Sequence, residues 1–141
     1  MIVVDATVLV YAVGGEHPLR AAARAIVDAV TEGRSRATTT IEVVQEFAQA
    51  RARRHGRAEA RVVAIRYATL FAPLLSQEVA DLEAGLALFE RYERLGSFDA
   101  VLAATAMRVA PSAFVSADRA FDDVQGLPFV GLASARAAGL V

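Results

Sequence analysis

Two apolar stretches of this chain each run into an aspartate. Ile2, Val3 and Val4 lead directly to Asp5, and Phe114, Val115 and Ser116 lead within two residues to Asp118. A charged side chain is rarely buried unless it is paired or bound to a metal. An acid at the end of a buried strand therefore implies a partner. Asp99 stands in the first turn of GSFDAVLAATA, a helix apolar nearly all round. Alone it reads equally well as a helix-dipole contact worth about 0.3–1 kcal/mol. Beside two strand-end acids the ligand reading gains. Glu42 and Glu46 lie four apart on one face of IEVVQEFAQA. At about 100° per residue Glu42 falls mid-polar beside Gln45 and Gln49, and Glu46 falls nearer the apolar border. A border position suits a carboxylate facing a cleft, so Glu46 is favoured and Glu42 is second choice. Either one alone reads as solvated helix surface.

Gathering Asp5, Glu46, Asp99 and Asp118 costs mutual repulsion unless a cation neutralises it. With no His or Cys nearby in the sequence, the ligands are all oxygen, which selects Mg²⁺ or Mn²⁺. Such ions activate water and clamp the oxygens of a phosphodiester, the chemistry of a metal-dependent nuclease.

Composition narrows the field further. All 15 basic residues are Arg, which excludes a P-loop lysine, a Schiff-base lysine and the lysine that supports an aspartyl-phosphate site. A phosphatase with Asp5 as nucleophile is weakened by that and by Thr7 standing where a second Asp would be needed. The absence of Cys removes disulfides, thiolate zinc and a Cys nucleophile. His17 and His55 lack ligand spacing. A net charge of −1 and a pI near 6.1 do not make the whole molecule a nucleic-acid magnet. The densest positive run is RARRHGR, where Arg51, Arg53 and Arg54 are candidate RNA contacts; a solvated helix end is the plainer alternative. A binding module with no catalysis, its acids being caps and surface charge, is a further alternative.

These side chains need elements to hold them. A chain of 141 residues, 55% hydrophobic, fits one domain over 1–141. Residues 2–5, ATTT, APLLS, AFVSAD and LPFVGL read as strand segments. Helices are expected through Val13, from EHPLR with Pro18 in its first turn, over IEVVQEFAQARARR capped by the TTT cluster, and after Gly56. Two more are expected, capped by Ser76 and Ser97, with RAFDDV a helical turn. Short apolar strands alternating with helices predict an α/β fold, a three-layer α/β/α sandwich around a parallel sheet of four to five strands. In such sheets the functional crevice lies beyond the carboxyl ends of the strands, where Asp5 and Asp118 both project. No apolar run is long enough for a membrane span, and no leader is read at the N-terminus. A cytoplasmic protein is expected.

Four blocks in order, IVVDATVLVYAV, TTTIEVVQEFAQAR, GSFDAVLAATA and FVSADRAFDDV, resemble the motif blocks of the PIN-domain family, and more narrowly the VapC-type toxins of bacterial toxin–antitoxin pairs. The resemblance spans nearly the whole chain. It implies a Mg²⁺- or Mn²⁺-dependent endoribonuclease cutting structured RNA such as tRNA or rRNA, a homodimer, and silencing by a cognate antitoxin. It places the site acids at Asp5, Glu46, Asp99 and Asp118, with Thr7 and Ser116 at supporting hydroxyl positions and Asp122 a minor candidate. Glu46 or Asp99 is expected to orient the attacking water, leaving a 5′-phosphate and a 3′-hydroxyl. A PIN-type RNase that processes RNA without an antitoxin fits the same blocks.

Overall fold

The structure, a computed structural model, describes residues 1–141. Four short strands form one sheet: β1 (Ile2–Val4), β2 (Ala37–Thr38), β3 (Ala113–Ser116) and β4 (Phe129–Gly131). All are parallel, in the order β2-β1-β3-β4. Val3 sits in register between Thr38 and Phe114, and Val115 pairs with Val130. Successive strand residues point to opposite faces, and every residue of β1 and β3 is buried. Both faces of the sheet are therefore covered, as expected for the sandwich.

Six helices supply the cover: α1 (Ala6–Val13), α2 (Arg20–Thr31), α3 (Ile41–His55), α4 (Arg57–Leu70), α5 (Val79–Arg91) and α6 (Ser97–Val109). Helix α1 packs on α2 and α3, α3 packs on α4, and α5 pairs with α6. The core centres on Val3, Val4, Leu9, Phe47, Phe114 and Phe121, all essentially inaccessible to water. Thr40 caps α3 by accepting the Val43 N–H, as the TTT cluster predicts. Thr39, fully buried, donates its hydroxyl to the Val4 carbonyl at 2.7 Å and so ties this cap to the end of β1. Gly56 separates α3 from α4 with a φ of 82°, a conformation only glycine adopts without strain.

Three local expectations are corrected. APLLS is not a strand: Leu75 makes one isolated bridge to Thr40, and Pro73 has no N–H to extend it. Neither Ser76 nor Ser97 caps a helix. Glu78 stands at the N-cap of α5, its N–H taken by the Asp81 carboxylate, and Ser97 lies inside α6 behind Gly96. Pro18 lies in the turn before α2, which begins at Arg20.

Two contacts set the spacing of the α5–α6 pair. Gly85 lies against Val101, where a Cβ would come within 2.6 Å of the Val101 Cα. Asp81, 2% exposed, receives both ends of the Arg108 guanidinium at 2.8 and 2.9 Å.

Candidate active site

Strand order places the site. The chain leaves β1 for β2 on one side and returns to β3 on the other, so the order reverses between β1 and β3. Ligands of open parallel sheets bind at such a switch point, beyond the strand ends. Asp5 follows β1 directly, and Asp118 comes two residues after β3.

Asp5 is 4% exposed, and its burial is explained by three donors to one oxygen. Asp5 Oδ2 accepts the Thr7 hydroxyl at 2.8 Å, the Ser116 hydroxyl at 2.7 Å and the Thr7 N–H at 3.4 Å. The last of these makes Asp5 the N-cap of α1. The Thr7 hydroxyl in turn accepts the Ala117 N–H, and the Ser116 hydroxyl accepts the Asp118 N–H, both at 2.9 Å. This network fixes the path from β3 to Asp118. Asp118 Oδ1 accepts the Ala120 N–H at 2.8 Å and starts the 3-10 turn Arg119–Asp123. Thus each strand-end acid commits one oxygen to the backbone turn that follows it.

Asp99 is the third residue of α6, and Glu46 is the sixth residue of α3 beyond the Thr40 cap. Burial pushes the Asp99 carboxyl up to about 6, and the negative charges of Asp5, Glu46 and Asp118 push in the same direction. Partial burial raises Glu46 too, with Asp5 adding to it. The four acids, drawn from β1, α3, α6 and β3, thus share one electrostatic field. None of the chain's six ion pairs uses any of them. No three acidic or imidazole side chains already converge at ligation distance on a single point; the carboxylates are neighbours without being a closed cage.

A cavity of about 1050 Å³ opens beside Glu46 and Asp99, between α3 and the start of α5 and α6. Glu42 lines it as well, and its Oε2 is a buried oxygen without any hydrogen-bond donor. Buried polar atoms are almost always satisfied. An orphaned carboxylate oxygen in the same cavity as Glu46 and Asp99, neither of them in an ion pair, fits a hard divalent cation with oxygen ligands. The opposite wall carries Val79, Leu82 and Leu86, large apolar side chains left exposed on α5.

The basic run divides. Arg51 is drawn inward: its guanidinium grips both carboxylate oxygens of Glu59 of α4, at 2.7 and 3.0 Å, and donates to the Val13 carbonyl that ends α1. That clamp, not RNA contact, occupies Arg51. Arg53 and Arg54 are exposed in the last turn of α3, about 10 Å along the axis from Glu46 at 1.5 Å per residue. Asp122 and Asp123 pair with Arg119 and Arg94 on the surface. Phe98, missed in the sequence, sits at the cavity rim with 84% of its surface in water.

A fold with this strand order and acids at its switch point belongs with the PIN domains, and the PIN-domain family model matches residues 2–127. The chain belongs to the PIN-domain family, and its relatives place it among the VapC-type members. It is 46% identical over 134 residues to "Ribonuclease VapC7" of Mycobacterium tuberculosis strain H37Rv, covering 92% of this chain and 90% of that protein. It is 34% identical over 101 residues to "Ribonuclease VapC23" of the same species, covering 70% of this chain and 78% of that one. No helix is long and apolar enough to cross a membrane.

Proposed function

We propose that this chain is an endoribonuclease, the toxin of a toxin–antitoxin pair, cutting structured RNA such as tRNA or rRNA with the help of Mg²⁺ or Mn²⁺. Asp5, Asp99 and Asp118, with Glu46 completing the set, would hold the cation. Glu42 is placed to contribute its unpartnered oxygen. When bound, the cation supplies an activated water and neutralises charge on the phosphodiester. Around it the chain's own residues do the rest. Thr7 and Ser116 hold Asp5 in one orientation, Asp118 is held by its own turn, and Glu46 or Asp99 would orient the attacking water. In-line attack on phosphorus leaves a 5′-phosphate and a 3′-hydroxyl.

The supporting observation is the field at Asp99: three other carboxylates from three other elements act on it, with no Arg to offset them. A folded chain keeps such a cluster at a cost in stability unless a cation is its working partner. The similarity to one named ribonuclease over nine-tenths of the chain points to the same chemistry. The exposed apolar residues of α5 suit a second copy of the chain or the antitoxin, and Arg53 and Arg54 suit RNA phosphates.

The test is cleavage of purified RNA with Mn²⁺ present or chelated, followed by sequencing of new 5′ ends. Discrete ends that need the metal and vanish in Asp5→Asn, with the variant still folded, are expected. Equal cleavage by Asp5→Asn removes Asp5 from the mechanism.

A further inference from the structure

The cavity beside the acids carries side chains that hydrolysis does not use. Every charged residue lining it is acidic; no Arg reaches it. Beyond the one phosphate that a cation at Glu46 and Asp99 would hold, no side chain lining it attracts an RNA backbone. Beside the apolar side chains of α5, the walls offer three primary amides, Gln45 and Gln49 from α3 and Gln77 ahead of α5. At the rim Phe98 stands one residue before Asp99 with its ring in water. The ring supports nothing in the core, and leaving it exposed forgoes roughly 1.5–3 kcal/mol of burial.

Those groups match one part of RNA. A nucleobase is uncharged, flat on its faces, and lined with donors and acceptors on its edge. An aromatic face stacks on any base, and each glutamine amide presents one acceptor and two donors to a base edge. Sequence-specific RNA recognition works mainly on unpaired bases that stack on aromatic side chains and are read along their edges. At about 1050 Å³ the cavity is at the upper limit of small-ligand sites and has room for a base. Glu46 and Asp99 line it too, so the opening adjoins the place proposed for the scissile phosphate.

We infer that Phe98 is the stacking platform for an unpaired base next to the scissile phosphate, and that Gln45, Gln49 and Gln77 face the edge of that base. The preference for the base beside the cut is set here. This inference rests on the ribonuclease reading of the same site.

The experiment uses the full chain with Asp5→Asn to stop cleavage. The probes are single-stranded hexamers of adenylate, cytidylate or uridylate, and a hexamer of abasic ribose-phosphate, with Mn²⁺ present. Phe98→Ala should weaken binding of base-bearing hexamers about tenfold and leave the abasic hexamer unchanged. Phe98→Trp should restore binding, and Gln45→Ala with Gln49→Ala should change the ranking among the three bases. Because Phe98 is almost wholly exposed, its loss does not threaten folding. Equal losses for abasic and base-bearing hexamers, or no loss at all, overturn the inference. So does a drop in sedimenting mass on Phe98→Ala, which makes the ring an interface between copies. Cleavage of total RNA by the unsubstituted chain is measured alongside. If it cleaves while Phe98→Ala is silent, stacking alone fails; if it does not cleave, the ribonuclease reading fails with it.

Discussion

The Ser116 hydroxyl, at the end of β3, donates to Asp5 Oδ2 at 2.7 Å, across the seam between the two central strands. The Thr7 hydroxyl reaches the same oxygen from α1. Asp5 is thus held by partners on both sides, and its other oxygen remains for a ligand. Removing an outer hydrogen bond to a metal-binding group commonly costs 10–100-fold in affinity or activity. Ser116→Ala and Thr7→Val are each expected to lower cleavage by about that factor and to weaken Mn²⁺ binding in calorimetry. Thermal midpoints should fall as well, since each hydroxyl makes two hydrogen bonds worth about 1 kcal/mol apiece; the loss of Mn²⁺ affinity is the readout that a purely structural role would not produce. Unchanged Mn²⁺ affinity in both variants would contradict this role.

Asp99 gives the pH dependence. Its carboxyl is pushed from 3.8 up to about 6 by burial and then by Asp5, Glu46 and Asp118. Between pH 4 and about 6 the folded chain keeps a proton that the unfolded chain has lost. Stability therefore falls as pH rises through that window, and the full penalty persists above it. Metal-free wild type should lose stability relative to Asp99→Asn from pH 4 to about 6, after which the gap stays constant. Mn²⁺ at neutral pH should close the gap, and Mn²⁺ affinity should drop on acidification through about 6. A gap independent of pH across that range would count against the shared field.

Three of the four proposed acids stand out in the sequence because they lie near element boundaries; Glu46, inside α3, does not. Asp5 ends a run of branched apolar residues, Asp118 follows another, and Asp99 opens a helix with no polar face. Thr40 was legible as a cap for the same local reason. What stayed hidden depends on partners far along the chain. Arg51 looks like one more cation in RARRHGR, and only the fold brings Glu59 and the Val13 carbonyl to it. Ser97 has the right type for a cap, but the helix takes it in and leaves Gly96 outside. Leu75 sits in a strand-like stretch, yet Pro73 and a single bridge to Thr40 allow no ladder. Phe98 carries no sequence signal, because an apolar residue in the first turn of an apolar helix looks like core until its exposure is known.

The division of the basic run makes a paired prediction. Arg53→Glu with Arg54→Glu should weaken RNA binding and reduce its salt slope, since fewer phosphates are neutralised and fewer counterions leave the RNA on binding. Stability should hardly change, because both side chains are exposed without ion pairs. Arg51→Ala should do the reverse: a lower thermal midpoint, from losing the clamp on Glu59 and α1, with an unaltered salt slope. If Arg51→Ala alone flattens the salt slope, its guanidinium must leave Glu59 when RNA binds.

The wall of the cavity is held by the α5–α6 pair, and the two interactions that fix it are separable. At Gly85 an added Cβ meets the Val101 backbone at 2.6 Å, an atom that cannot rotate away, so Gly85→Ala forces the helices apart. Overpacking of this kind costs about 1–3 kcal/mol. At the second position the Arg108 hydrogen bonds hold the Asp81 carboxyl below the usual carboxylate range. An acid lowered in the folded state contributes stability that is present above its unfolded value and is lost as pH falls through the folded one. Asp81→Asn should destabilise the chain by about 1.5–3 kcal/mol at neutral pH, and by progressively less as acidification protonates the wild-type carboxyl. Gly85→Ala should show no such pH dependence, since its cost is steric. Unfolding both variants at pH 7 and pH 3 separates the two. Only the Asp81 difference should shrink in acid, whereas RNA cleavage should suffer more from Gly85→Ala, which moves Leu82 and Leu86 of the cavity wall relative to Asp99.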